Sequence, residues 1–119
     1  MTPAQIAELF GQDARAGQRA INQFVDDFRR ASPPERAKLI AVGPRHNGGP
    51  EGLIAAVVSS LCHGTDLTLP LWVTETRSEQ PFFAFDAKSG PLRVRLMLES
   101  PPPFRARNVF VPENYLSRV

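Results

Sequence analysis

Apolar residues return at steps of three and four along the first thirty positions. Ile6, Leu9, Phe10, Ala14, Ile21, Phe24, Val25 and Phe28 form the stripe of one long amphipathic helix over residues 2–32. Thr2 suits its N-cap, and Pro3 suits its first turn, where a missing N–H costs nothing. Arg29 and Arg30 complement the negative end of the helix dipole. The stripe thins at Gly17, which marks the place for a bend or break. Ser32 then caps a shorter helix over "PPERAKLIAV", stopped by Gly43 and Pro44.

The next stretch, "GPRHNGGP", packs three glycines and two prolines into residues 43–50 and reads as a linker. It divides the chain into a helical pair, residues 1–42, and a small helical domain, residues 51–119. That domain opens with a third helix, "PEGLIAAVVSSLCHG". Leu53, Ile54, Val57, Val58 and Leu61 form its buried stripe, and Gly64 ends it.

Beyond Gly64 the periodicity dissolves. Pro70, Pro81 and scattered polar residues break up any regular element, yet the segment carries Leu67, Leu69, Leu71, Trp72, Phe82, Phe83 and Phe85. Loops that apolar wrap onto a core or form a docking surface. Residues 91–99 fit two patterns. Leu92, Val94, Leu96 and Leu98 alternate with Arg93, Arg95 and Met97 as in a strand. Ser89 as cap, Pro91 in a first turn and Ser100-Pro101 as a stop fit a helix. The helix is preferred. The expected fold is therefore mainly α: a long N-terminal amphipathic helix plus a small helical C-terminal domain with irregular apolar loops. The alternative is α+β, with a short hairpin at 82–98. The last stretch predicts one helical turn near Phe104, a short extended "NVFV", and a final turn begun by Pro112 and Glu113 and packed by Tyr115 and Leu116.

Composition adds limits to this picture. With 119 residues, 42% of them hydrophobic and 22% charged, the chain has the material for one compact core. No apolar run approaches the ~18 residues of a membrane span. "MTPAQIAELF" lacks the basic start and apolar run of a secretion signal, and a single cysteine, Cys62, allows no internal disulfide. A reducing cytoplasm is the expected home.

The net charge of +2 lacks the massed positive field of a dedicated nucleic-acid binder. One local excess stands out: between residues 93 and 107, Arg93, Arg95, Arg105 and Arg107 are opposed only by Glu99. With aromatics beside them they could grip phosphates, stack on bases or pair with an acidic protein surface. The local alternative is that they pair with Glu99, Glu113 and the C-terminal carboxylate and hold the tail down. Trp72, Phe82 and Phe83 divide in the same way between core and interface.

Candidates for chemistry are sparse. Cys62, His63 and His46 are the only soft or imidazole ligands, and adjacent residues on a helix point about 100° apart. Structural zinc takes four ligands at recurring spacings, so core packing for Cys62 and a helix-end role for His63 are preferred. No nucleophile-elbow pattern surrounds Ser59, Ser60 or Cys62. "HNGGPEG" lacks the strand and Lys-Ser/Thr of a phosphate loop. No catalytic residue, cofactor or metal is expected.

The motif content of the second half is richer. "LPLWV", "PFFAF" and "LRVRLMLESPPPFRARNVFVPENYLSRV" resemble a set of short bacterial proteins ending in ESP-x-x-F-(R/K)-x-R-N-(I/L/V)-F-V-x-x-N-x-L-x-R. In that set a Pro-x-Trp and an aromatic pair precede the ending, as Pro70/Trp72 and Phe82/Phe83 do here. The resemblance covers about residues 67–119. Its matching positions are Arg105, Arg107, Asn108, Phe110, Asn114, Leu116 and Arg118, and Tyr115 stands where the set has a small residue. Proteins of the set are treated as antitoxin partners of nucleotidyltransferase-like toxins encoded beside them. The resemblance thus implies a non-catalytic protein that occludes a partner enzyme. It nominates the matching positions as fold-defining or partner-facing, and with the aromatics and the local arginine excess the partner-facing candidates are Trp72, Phe82, Phe83, Arg93, Arg95, Arg105, Arg107, Asn108, Phe110 and Asn114.

Two other classes remain open. A DNA-binding regulator would use the arginines, although no helix-turn-helix with a basic recognition helix is visible. An enzyme would need an unfamiliar site around Cys62, His63 and His46. The first helix adds a separate expectation. Its stripe spans about eight turns, so a remainder beyond what the rest of the chain shelters would pair with a second copy or another protein.

Overall fold

A computed structural model describes residues 1–84 and 89–116. The fold is mainly α. In chain order the described elements are α1 (Pro3–Gln12), α2 (Ala14–Arg30), α3 (Pro33–Leu39), α4 (Gly49–Cys62), α5 (Leu71–Glu75), β1 (Phe82–Phe83), α6 (Gly90–Glu99), α7 (Pro102–Arg105) and β2 (Val109–Phe110). None of the described helices is long and apolar enough to cross a membrane.

The long N-terminal helix is a correction: it is two helices folded back on each other. Thr2 starts α1 as expected, accepting from Gln5 N at 3.2 Å while its own N–H reaches Gln5 Oε1 at 2.8 Å. The break falls at Asp13, four residues before Gly17. Asp13 has extended backbone, gives its N–H to Leu9 O, and accepts from Arg15 N and Ala16 N through Oδ1, both at 3.1 Å. One residue thus closes α1 and caps α2. Gly17 then lets α2 cross against Phe10 of α1.

The consequence for the apolar stripe is direct. Ile6, Ala7, Phe10, Ile21, Phe24, Val25 and Phe28 are all buried within this one chain. Packing of α1 and α2 on each other and on α4 covers these positions, while Leu9 of the predicted stripe is half-buried and Ala14 is exposed.

Helix α4 is the axis of the molecule. Leu53 to Val58 have no exposed surface at all, alanines included. Where the sequence suggested an amphipathic stripe, the helix is apolar all round across its middle, residues 53–58, as befits a helix wrapped by others. It packs against α1, α2, α5, α7 and β2. His63 is its C-cap, and Gly64 follows at φ +81°, the left-handed conformation that glycine adopts freely. One core joins Ile6 of α1 to Tyr115 near the end, so it crosses the 43–50 segment on which the sequence places a linker.

Ser32 and Glu35 form the expected start of α3, with Ser32 Oγ 2.7 Å from Glu35 Oε1. Arg36 reaches back to close α2, donating to Phe28 O at 2.8 Å and Arg29 O at 3.0 Å, with its guanidinium 4.9 Å over the Phe28 ring. Among the described residues of the 65–90 segment, α5 and β1 stand in place of fully irregular chain. Residues 90–99 are helical: Ser89 Oγ accepts from Leu92 N at 3.2 Å and Ser100 is the C-cap. Among the described residues the strand content is one parallel pair, with Phe82 opposite Val109 and Phe83 opposite Phe110. A hairpin at 82–98 is thereby replaced by a parallel pairing with the tail.

Candidate docking surface

The tail is built inward from its rings. Three prolines preset the chain at Pro101–Pro103, and α7 begins on the second of them. This turn drives Phe104 into the core, where it meets Tyr115 edge-on at 5.7 Å. Full burial of a phenyl ring contributes roughly 2–3 kcal/mol. The Tyr115 hydroxyl donates to Gln18 Oε1 at 2.6 Å, and Arg29 Nη2 donates to Leu116 O at 3.0 Å. Both contacts moor the tail to α2.

Ser100 completes the brace. Its Oγ accepts from Val111 N at 2.8 Å, and its hydrogen faces the Leu96 and Val111 carbonyls at 2.5 and 2.9 Å. The seryl group thus ties the end of α6 to the chain after β2.

The four arginines part company. Arg107 is half-buried: Nε and Nη2 donate to Val73 O at 3.2 and 2.9 Å, and Nη1 donates to Pro103 O at 2.8 Å. Val73 O belongs to α5 and Pro103 O to α7, so the guanidinium locks two helices together. Burial pushes its pKa down, yet an arginine there remains a cation. Arg105 is exposed and has no side-chain partner among the described residues. Arg95 pairs with Glu99 one turn on, at 3.3 Å, the local pairing the sequence allowed. Arg93 lies over the Phe83 ring at 5.4 Å, and Phe83 in turn meets Phe110 in a tilted pair with centroids 5.3 Å apart.

The remaining candidates divide between fold and surface. The Trp72 indole N–H donates to Ile40 O at 2.8 Å, which seats the ring on the segment after α3. Phe82 meets Phe10 edge-on at 6.0 Å, and Phe110 is buried. Asn108 has φ +62°, a left-handed conformation that asparagine tolerates better than most residues. There it ends the α7 turn, its N–H bonded to Arg105 O, while its carbonyl receives Phe82 N at 3.0 Å. The asparagine is therefore explained by backbone geometry. Asn114 is exposed, and Arg118 lies outside the described residues.

Helix α6 carries the feature that charge and motif reasoning missed. It contributes Leu96 to a small cluster with Phe110 and Phe83, and little else. Leu92, Val94, Met97 and Leu98 are 42, 55, 42 and 75% exposed. Val94 and Leu98 are one turn apart and share a face, turned away from the buried side that Leu96 marks. The alternating Leu/Arg pattern was the available signal: a helix cannot bury residues spaced two apart on one side, so some must face solvent.

The cysteine and histidines fall elsewhere. Cys62 is buried at the end of α4, its thiol pushed up by burial and only partly offset by Arg36. His63 is exposed, and His46 Nε2 lies 3.4 Å from Glu51 Oε1. Among the described residues no three His, Cys, Asp or Glu side chains group as metal ligands. In comparisons with known proteins the chain matches no family model, no curated protein and no solved structure.

Proposed function

We propose that the protein is a non-catalytic docking protein, and that α6 with Arg105 forms the surface that meets its partner. The single observation behind this reading is the exposed apolar face of α6. Leucine, valine and methionine side chains placed together in water are an unfavourable arrangement that a partner relieves. Arginines on the same helix give that surface a positive rim and so a preference for an acidic partner.

The finer form of the reading rests on the resemblance of the tail to antitoxins of nucleotidyltransferase-like toxins. Nucleotidyltransferase clefts hold metal and nucleotide through carboxylates. Arginines 93, 95 and 105 would pair with such carboxylates while Val94 and Leu98 seal the contact, which denies the cleft to its substrates. No chemistry by this chain is needed for that.

The test is co-expression with the product of the adjacent gene, followed by affinity measurement. The wild type should co-purify, and Val94→Asp combined with Leu98→Asp should weaken the complex at least a hundredfold with unchanged thermal stability. Recovery of the protein alone, or undiminished binding by the double variant, would overturn the reading.

A further inference from the structure

A second site lies at the opposite type of surface, a cavity of about 580 Å³ that shares no residue with α6. That volume is in the range of small-molecule sites. Its floor is the face of α1 that carries Ala4, Ala7 and Gly11, whose minimal side chains create the room. Val42 and Pro44 supply an apolar wall, and the first turn of α4 closes the end with Glu51.

Glu51 is the distinguishing group. It is 9% exposed, a carboxylate taken out of water at the edge of an apolar space. Buried carboxylates are retained when a cation or several donors compensate them. The side-chain contact recorded for this one is His46 at 3.4 Å, and the imidazole is itself 77% exposed. So weak a hold is easily displaced from solvent. The carboxylate lies against the backbone of Gly48, where a Cβ would stand 2.2 Å from its Oε1.

Charge around the cavity fits a cation. Glu8 and Glu51 are two carboxylates against one guanidinium, Arg45, which leaves one net negative charge while His46 is neutral. We propose that this cavity binds a small organic monocation: an apolar body on the alanine floor, with an ammonium or amidinium head that displaces His46 from Glu51. The apolar body excludes water, and the carboxylate then attracts the head in a poorly screened setting.

The probe is 2-phenylethylamine, with 2-phenylethanol as its neutral counterpart, titrated into the full chain and followed by amide resonances. The amine should shift Ala7, Gly11, Gly43 and Glu51 saturably and bind at least tenfold more tightly than the alcohol. Glu51→Gln should reduce the amine to the level of the alcohol, and His46→Ala should preserve or strengthen its binding. Equal affinity for amine and alcohol, wild-type affinity in Glu51→Gln, or no saturation would overturn the proposal. Should Glu51→Gln fail to fold, the amine-to-alcohol ratio on the wild type and His46→Ala decides it.

Discussion

Gly17 approaches Phe10 so closely that a Cβ on the glycine would stand 2.4 Å from the phenylalanine Cα. The obstacle is backbone, so no rotamer change relieves it. Gly17→Ala gains about 1 kcal/mol of helix propensity and still loses more, because overpacking at a helix crossing costs about 1–3 kcal/mol or above. We expect a net destabilisation, read as a lower urea midpoint at unchanged slope. A variant as stable as the wild type would mean that α1 and α2 do not cross there.

The clamp of Arg107 on Val73 O and Pro103 O gives a sharper expectation. Arg107→Met keeps the stem and strips three donated hydrogen bonds from part-buried carbonyls. Loss of bonds to a charged group costs about 1.5–3 kcal/mol. Arg105→Met, two residues away and exposed, should stay within about 0.5 kcal/mol of the wild type. Denaturation of the two variants side by side separates a structural arginine from a displayed one.

Glu35 offers a pH experiment. Hydrogen bonds from the Ser32 side chain, and then from its backbone, hold this carboxyl below the ordinary glutamate range. A lowered folded value means that the carboxylate stabilises the fold at neutral pH. The contribution is complete above the unfolded value near ~4.3 and vanishes as pH falls through the folded one. Ser32→Ala should return the Glu35 titration, followed by carbon-13 shifts, toward the ordinary range. An unchanged titration would remove Ser32 as the cause.

Cys62 works in the opposite direction. Burial raises its pKa, so the neutral thiol is favoured in the folded state. Stability from this group is present below the unfolded value near ~8.5 and declines as pH rises toward the folded one. Reaction with a disulfide reagent at pH 8 should be slow in buffer and fast in denaturant. Equal rates would place the thiol in solvent.

The sequence made much of this structure legible, for identifiable reasons. The caps at Thr2, Ser32 and Ser89 and the stop at Gly64 are local, and local chemistry is written in local residues. The break at Asp13 was also written locally, but an unbroken apolar period on both sides masks a capping residue that both ends a helix and starts one. The roles of Arg107 and Trp72 were not legible, because their partners are carbonyls 34 and 32 positions away. Only the fold decides which arginine of a pair turns inward. The parallel pairing of residues 82–83 with 109–110 is hidden likewise, since two residues leave no alternation to read.

The mooring of Tyr115 to Gln18 also bears on how the molecule is made. Synthesis delivers the α1–α2 hairpin first, and its apolar face must wait for a ring encoded 97 positions later than its hydrogen-bond acceptor. Until the ribosome has extruded Phe104 and Tyr115, that face is open to chaperones and to neighbouring nascent chains. Completion of the core therefore waits on translation of Phe104 and Tyr115, and a slow codon just before them would lengthen the window of exposure.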